Sequence, residues 1–117
     1  MVSSAFYPKL DPSNQAMFSK AVVTGLLRER LGFDGVVITD DVGAAKAVAA
    51  VPVGARATRF ISAGGDIVLT ARATQAPVML KAIATKRAAS PAFAAQVDAA
   101  AARVLDLKAD LGLVKCS

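Results

Sequence analysis

Apolar residues follow two alternating patterns along the chain. Short continuous runs bounded by turn residues are typical of buried strands, and such runs lie at 1–6, 36–38 and 66–70. In the intervening stretches apolar residues recur every three or four positions, which predicts helices over 19–31, 54–63, 75–88 and 91–111. Strands that alternate with helices predict an α/β fold with a parallel sheet, outer helices and right-handed crossovers.

Capping residues bound the predicted helices. Ser19 is a candidate N-cap for the first helix, and Gly32 suits the left-handed position just past its end. Ser90 followed by Pro91 is typical of a helix start. The residues expected to face the core from the first and last helices are Val22, Val23, Leu26, Leu27 and Leu31, and Phe93, Val97, Ala100, Val104, Leu107 and Leu111.

The first candidates for chemistry are Asp40 and Asp41, which follow the apolar run at 36–38. Side chains at the carboxyl end of a parallel strand face the site where ligands bind. The alternative is that one of these carboxylates only caps the next helix. Tyr7 also follows a strand end, and two interpretations stay open for it: a sugar contact or a packing residue.

Three further features indicate structural roles. Asp66 precedes its strand, at the end away from any ligand, so we expect it to be structural. Arg28 lies in the last turn of a helix, so we expect its charge to complement the helix dipole and to face solvent, in preference to contacting a substrate. Gly64-Gly65 ends a helix and precedes a strand, so it does not predict a phosphate-binding loop, and a nucleotide-binding module is disfavoured.

Composition excludes several classes of protein. With 117 residues, 55% of them hydrophobic, the chain predicts one globular domain. The net charge is +5, but the basic residues are scattered and only 5% of residues are aromatic, which argues against nucleic-acid binding. No run approaches the roughly 20 apolar residues of a membrane span, no signal segment is visible, and the compartment stays open. A single cysteine, Cys116, excludes an internal disulfide, and nothing indicates a cofactor or metal site.

The stretch 27–41, LRERLGFDGVVITDD, resembles the signature of family 3 glycoside hydrolases, in which LR-x-x-LGF-x-G is followed by apolar residues and [ST]-D. The residue after Asp40 is Asp41, and in this the chain resembles the β-N-acetylhexosaminidase branch of the family, since the β-glucosidase branch usually has Trp at this position. The resemblance extends through MVSSA and YPKLDP upstream and AGGD downstream.

This resemblance implies a fold, an activity and a site. The fold is a partial (β/α)8 TIM barrel, with residues 1–117 as its last three βα units, the C-terminal part of the catalytic domain. The activity is release of terminal β-linked N-acetylhexosamine by a retaining mechanism on an N-acetylglucosamine-containing glycan. Asp40 is the implied nucleophile. Asp41 and Tyr7, which follow strand ends, are the candidate substrate contacts.

The chain departs from the family pattern in two ways. The methionine expected near the aspartate pair is replaced by Ala44, and the chain contains no histidine, although a histidine is the implied acid/base of this branch. The apolar run at 1–6 has no turn before it, so we expect the chain to begin inside a barrel. The alternative is therefore a non-catalytic remnant that folds or self-associates through its uncovered sheet.

Overall fold

Three extended segments lie side by side and parallel in the computed structural model, which describes residues 1–115. Val2 pairs with Thr39, and Ile38 pairs with Ile67. The segments therefore follow one another in chain order across the molecule, as the parallel sheet predicted from the apolar runs requires. Cys116 lies outside the described residues.

An antiparallel hairpin interrupts this order and was not predicted. Its strands are β1, Phe6–Tyr7, and β2, Asp11–Gln15. The prediction of one strand over 1–6 is wrong, because Val2 forms only an isolated bridge, the chain bends at Ser4, and β1 begins at Phe6. After β1 the chain turns, and Leu10 N donates to Tyr7 O at 2.8 Å. β2 begins at Asp11, whose side chain accepts hydrogen bonds from the amides of Ser13 and Asn14.

The helices lie where the spacing predicts them. They are a π-helix, Ala21–Arg30, three α-helices, α1 (Val53–Ala63), α2 (Ala76–Ala89) and α3 (Pro91–Asp110), and three short 3₁₀ turns, Ala16–Phe18, Lys46–Val48 and Ala73–Gln75. The sequence did not reveal the i→i+5 bonding of the first helix, in which Leu31 N donates to Leu26 O at 2.9 Å.

The predicted caps are confirmed. Ser19 Oγ accepts from Val22 N at 3.2 Å, and Ser90 Oγ accepts from Phe93 N at 3.2 Å. Gly32 and Gly64 follow helix ends with φ of 68° and 108°, a conformation that side chains with a Cβ rarely adopt.

The core lies between the helices and one face of the extended segments. Its fully buried side chains include Phe60, Val23, Val37 and Val42. Three predicted core positions are wrong, since Leu31, Leu107 and Leu111 are 67%, 42% and 63% exposed. The reason at α3 is length: it has 20 residues, whereas α1 and α2 have 11 and 14, so its last turns extend beyond the helices it packs against.

Within residues 1–115, no helix is both long and apolar enough to cross a membrane.

Candidate active site

Asp40 lies at the carboxyl end of the central extended segment and is held by three contacts. Its backbone N donates to Val2 O at 3.0 Å. On the side chain, Oδ1 accepts from Asp41 N at 2.8 Å, and Oδ2 accepts from Ser4 Oγ at 3.3 Å. The residue is half-buried, so its carboxylate is fixed in direction while solvent still reaches it. This arrangement suits a carboxylate that attacks an external molecule.

Asp41 points elsewhere and joins two loops. Its Oδ1 accepts from the backbone N of Gly43 and of Ala71, both at 2.8 Å, and Oδ2 accepts from Ala44 N at 3.1 Å. The pKa of Asp41 lies below its ordinary value of 3.8. The main cause is the hydrogen bond from the Ala71 amide, followed by the bonds from the Gly43 and Ala44 amides and by the positive charge of Arg72. Asp41 therefore stays ionised and connects the loop after Asp40 to the loop after the next segment.

Tyr7 lies three residues after Ser4 and is 48% exposed. It lines a surface cavity of about 300 Å³ with Phe6, Pro8, Lys9 and Leu10. Among the hydrogen bonds of residues 1–115, none joins Tyr7 to Asp40 or Asp41. A sugar contact at Tyr7 therefore stays a prediction.

Asp66 forms a buried ionic cluster that supports the opposite end of the segments. Its side chain is fully buried and accepts from Arg28 Nη2 at 2.7 Å, Arg103 Nε at 2.8 Å and Val37 N at 2.7 Å. The structural role expected for Asp66 agrees with these contacts. The solvent-facing role expected for Arg28 is wrong, because its guanidinium also donates to the carbonyls of Gly64 and Gly35.

Sequence reasoning missed two residues, Ser4 at the candidate site and Arg103 in the Asp66 cluster at the opposite end of the segments. Ser4 lies 36 positions from Asp40, and Arg103 lies 37 positions from Asp66. No spacing rule connects residues so far apart in the chain. The only feature of the sequence that points to Arg103 is its charge, because it lies beside the apolar stripe of α3, which continues before and after it.

Comparison with known proteins identifies the family. The model of the glycosyl hydrolase family 3 N-terminal domain matches residues 1–107. The chain belongs to this family, as the motif at 27–41 predicts. Among curated relatives, it is 42% identical to a beta-hexosaminidase of Bordetella pertussis over 80 residues, which are 68% of this chain and 22% of that protein. It is 40% identical to a beta-hexosaminidase of Chromobacterium violaceum over 85 residues, 72% of this chain and 24% of that protein.

Solved structures give the same result. The fold superposes on a beta-N-acetylhexosaminidase from Beutenbergia cavernae with a TM-score of 0.89 and 47% identity, over 92% of this chain and 32% of that one. It also superposes on a family 3 beta-N-acetylglucosaminidase from a Paenibacillus species with a TM-score of 0.81 and 30% identity, over 99% of this chain and 24% of that one. The chain spans about a quarter of the length of the two curated beta-hexosaminidases described above.

Proposed function

We propose that this chain supplies the nucleophile of a retaining glycoside hydrolase that releases terminal β-linked N-acetylhexosamine, with Asp40 as that nucleophile. The observation that carries the proposal is the geometry of Asp40, a half-buried carboxylate at the carboxyl end of the central segment with each oxygen accepting one hydrogen bond. Similarity to proteins named beta-hexosaminidase supports the sugar. We also propose that the three extended segments with their helices are the last three βα units of a (β/α)8 barrel.

In the first step, one oxygen of Asp40 attacks the anomeric carbon of the bound sugar. A bond forms between that oxygen and the anomeric carbon, and the glycosidic bond breaks, so that the electron pair leaves with the aglycone oxygen. Water then attacks the anomeric carbon of the glycosyl ester and releases Asp40. The contacts from Asp41 N and Ser4 Oγ hold the carboxylate in place, while Val2 O anchors its backbone.

An acid/base must protonate the leaving oxygen and later activate water, and this chain does not provide one. It has no histidine. Asp41 does not fit the role, because three backbone amides occupy its oxygens and its lowered pKa keeps it ionised. A retaining pair also needs its carboxyl groups about 5–5.5 Å apart, on opposite sides of the scissile bond. We propose that the acid/base comes from protein outside this chain.

A substrate with a good leaving group separates the nucleophile from the missing acid. Dinitrophenolate departs without protonation, so dinitrophenyl β-N-acetylglucosaminide tests Asp40 alone. We expect a burst of dinitrophenolate equal to the protein concentration, and a mass increase of one N-acetylhexosamine on the peptide that contains Asp40.

Asp40→Asn is expected to abolish the burst, and Asp34→Asn, which alters an exposed aspartate in the same stretch, is the matched control. A burst that persists in Asp40→Asn would overturn the assignment. A folded chain that gives no burst would favour the second candidate, a non-catalytic remnant, which the absence of histidine from the sequence supports.

A further inference from the structure

The hydrogen bonds between the Asp40 segment and its neighbour change at Thr39. Before this point the pattern is that of a parallel ladder, in which Ile67 N donates to Val37 O and Ile67 O accepts from Thr39 N, both at 3.0 Å. The next bonds of such a ladder would join Leu69 N to Thr39 O, and Asp41 N to Leu69 O. Neither of them is formed.

Two different bonds replace them. Leu69 N donates to the side-chain hydroxyl of Thr39 at 2.8 Å, and Leu69 O accepts from Val42 N at 2.9 Å. The pairing has moved forward by one residue on the Asp40 side, which is the definition of a β-bulge. The bulge leaves Asp41 N outside the ladder, and this amide donates to Asp40 Oδ1.

From this geometry we infer that Thr39 is a positioning residue for Asp40, because its hydroxyl replaces a backbone carbonyl in the ladder and so creates the bulge that turns Asp41 N toward the carboxylate. Thr39 is fully buried, which keeps its hydroxyl aligned on Leu69 N and away from competing water. Bulges beside active sites commonly re-aim a side chain in this way. The catalytic consequence rests on the proposed function, but the positioning itself does not.

The alternative role for Thr39 is to fill space in the core, and the chemistry of the side chain separates the two roles. Valine has the shape of threonine but no acceptor, so in Thr39→Val the amide of Leu69 must seek the carbonyl of residue 39, and the ladder becomes regular. Asp41 N then pairs with Leu69 O and leaves Asp40. Serine keeps the acceptor, so Thr39→Ser retains the bulge although it removes a methyl group.

The test is NMR spectroscopy of the whole chain with ¹³C-labelled aspartate. In Thr39→Val we expect altered amide resonances at Leu69 and Asp41 and an altered carboxyl resonance at Asp40. Thr39→Ser should match the wild type at all three sites, and the Asp66 carboxyl resonance serves as an internal reference. Thr39→Ala is a second hydroxyl-free variant, in case the buried valine prevents folding.

An Asp40 carboxyl signal that is unchanged in the hydroxyl-free variants, or one that moves equally in Thr39→Ser, would overturn the inference. If neither hydroxyl-free variant folds while Thr39→Ser does, rapid deuterium exchange of the Leu69 amide in the wild type would overturn it, and protection would support it. The dinitrophenolate burst is a separate readout, and we expect it to slow by about 100-fold in Thr39→Val and little in Thr39→Ser. Wild-type protein without a burst would refute the proposed function alone, because the NMR signals require no turnover.

Discussion

Arg28 and Asp66 form an ion pair across 38 residues of chain, with Arg28 Nη2 2.7 Å from an oxygen of the fully buried Asp66 carboxylate. Arg103 binds the other oxygen of that carboxylate. The C-terminal half of the π-helix, the start of the central segment and α3 therefore meet at one buried charge. Breaking a buried pair is costly, because the remaining charges lose their partner in a region that excludes water.

Asp66→Asn should destabilise the fold by about 3–5 kcal/mol, since two arginines lose their counter-charge. Urea unfolding followed by circular dichroism measures this as a lower free energy of unfolding. Asp98→Asn is the control, because it breaks an Arg87–Asp98 pair whose side chains are 52% and 63% exposed, and exposed pairs contribute about 0–1 kcal/mol. Equal losses in the two variants would contradict the structural role of Asp66.

Acid should destabilise the protein through Asp11. Hydrogen bonds lower the pKa of Asp11 from 3.8 to about 2, the largest effect coming from the Ser19 hydroxyl, then from the Ser13 amide and from Asn14. A carboxyl with a lowered pKa contributes stability above its unfolded value, and this contribution is lost as the pH falls from 3.8 toward 2. Asp41, whose pKa is also lowered, acts in the same direction.

Asp11→Asn should therefore be less stable than wild type at pH 7 and should lose less additional stability below pH 4. Urea unfolding at a series of pH values measures both effects. Asp34→Asn changes an exposed aspartate and should keep the wild-type pH profile in this range. An Asp11→Asn protein that is as acid-sensitive as the wild type would show that another group dominates.

Gly65→Ala should destabilise the core. A Cβ at this position would collide with the ring of Phe60, which is fully buried and cannot move aside. Overpacking of this kind costs about 1–3 kcal/mol. Gly25→Ala is the matched control: its Cβ would meet only Lys20 O at 3.9 Å, and alanine suits a helix interior better by about 0.5–1 kcal/mol. Thermal unfolding should therefore show a lower Tm for the first variant and an equal or higher Tm for the second.

Self-association through the uncovered face of the sheet is the fourth prediction. Ile38 and Ile67 are only half-buried, and Leu69 is 39% exposed beside them. An apolar face of this kind favours contact with a second copy. Light scattering should report a mass above that of the monomer at micromolar concentration. Leu69→Lys should lower this mass, while Leu105→Lys, which changes an exposed leucine of α3, should not. A well-folded monomer would contradict the prediction.

The helices could be predicted from the sequence because the information that defines them is local. Apolar residues recur at intervals of three and four in the helices, Ser19 and Ser90 mark the starts of two of them, and Gly32 and Gly64 mark the ends of two. The hairpin of β1 and β2 was not predictable in this way, because its strands are only two and five residues long and β2, with the sequence DPSNQ, carries no alternation of apolar residues.

For the candidate site, the sequence by itself determined that two carboxylates follow a buried apolar run, and the motif at 27–41 determined the family. Only the tertiary structure decided that Asp40 and Asp41 do different things, since one faces Ser4 and the other faces the amide of Ala71. The physical reason is that a carboxylate takes its role from the donors around it. Some of those donors are neighbours in the chain, but Ser4 Oγ and Ala71 N, which distinguish the two carboxylates, lie 36 and 30 residues away, and no local pattern records them.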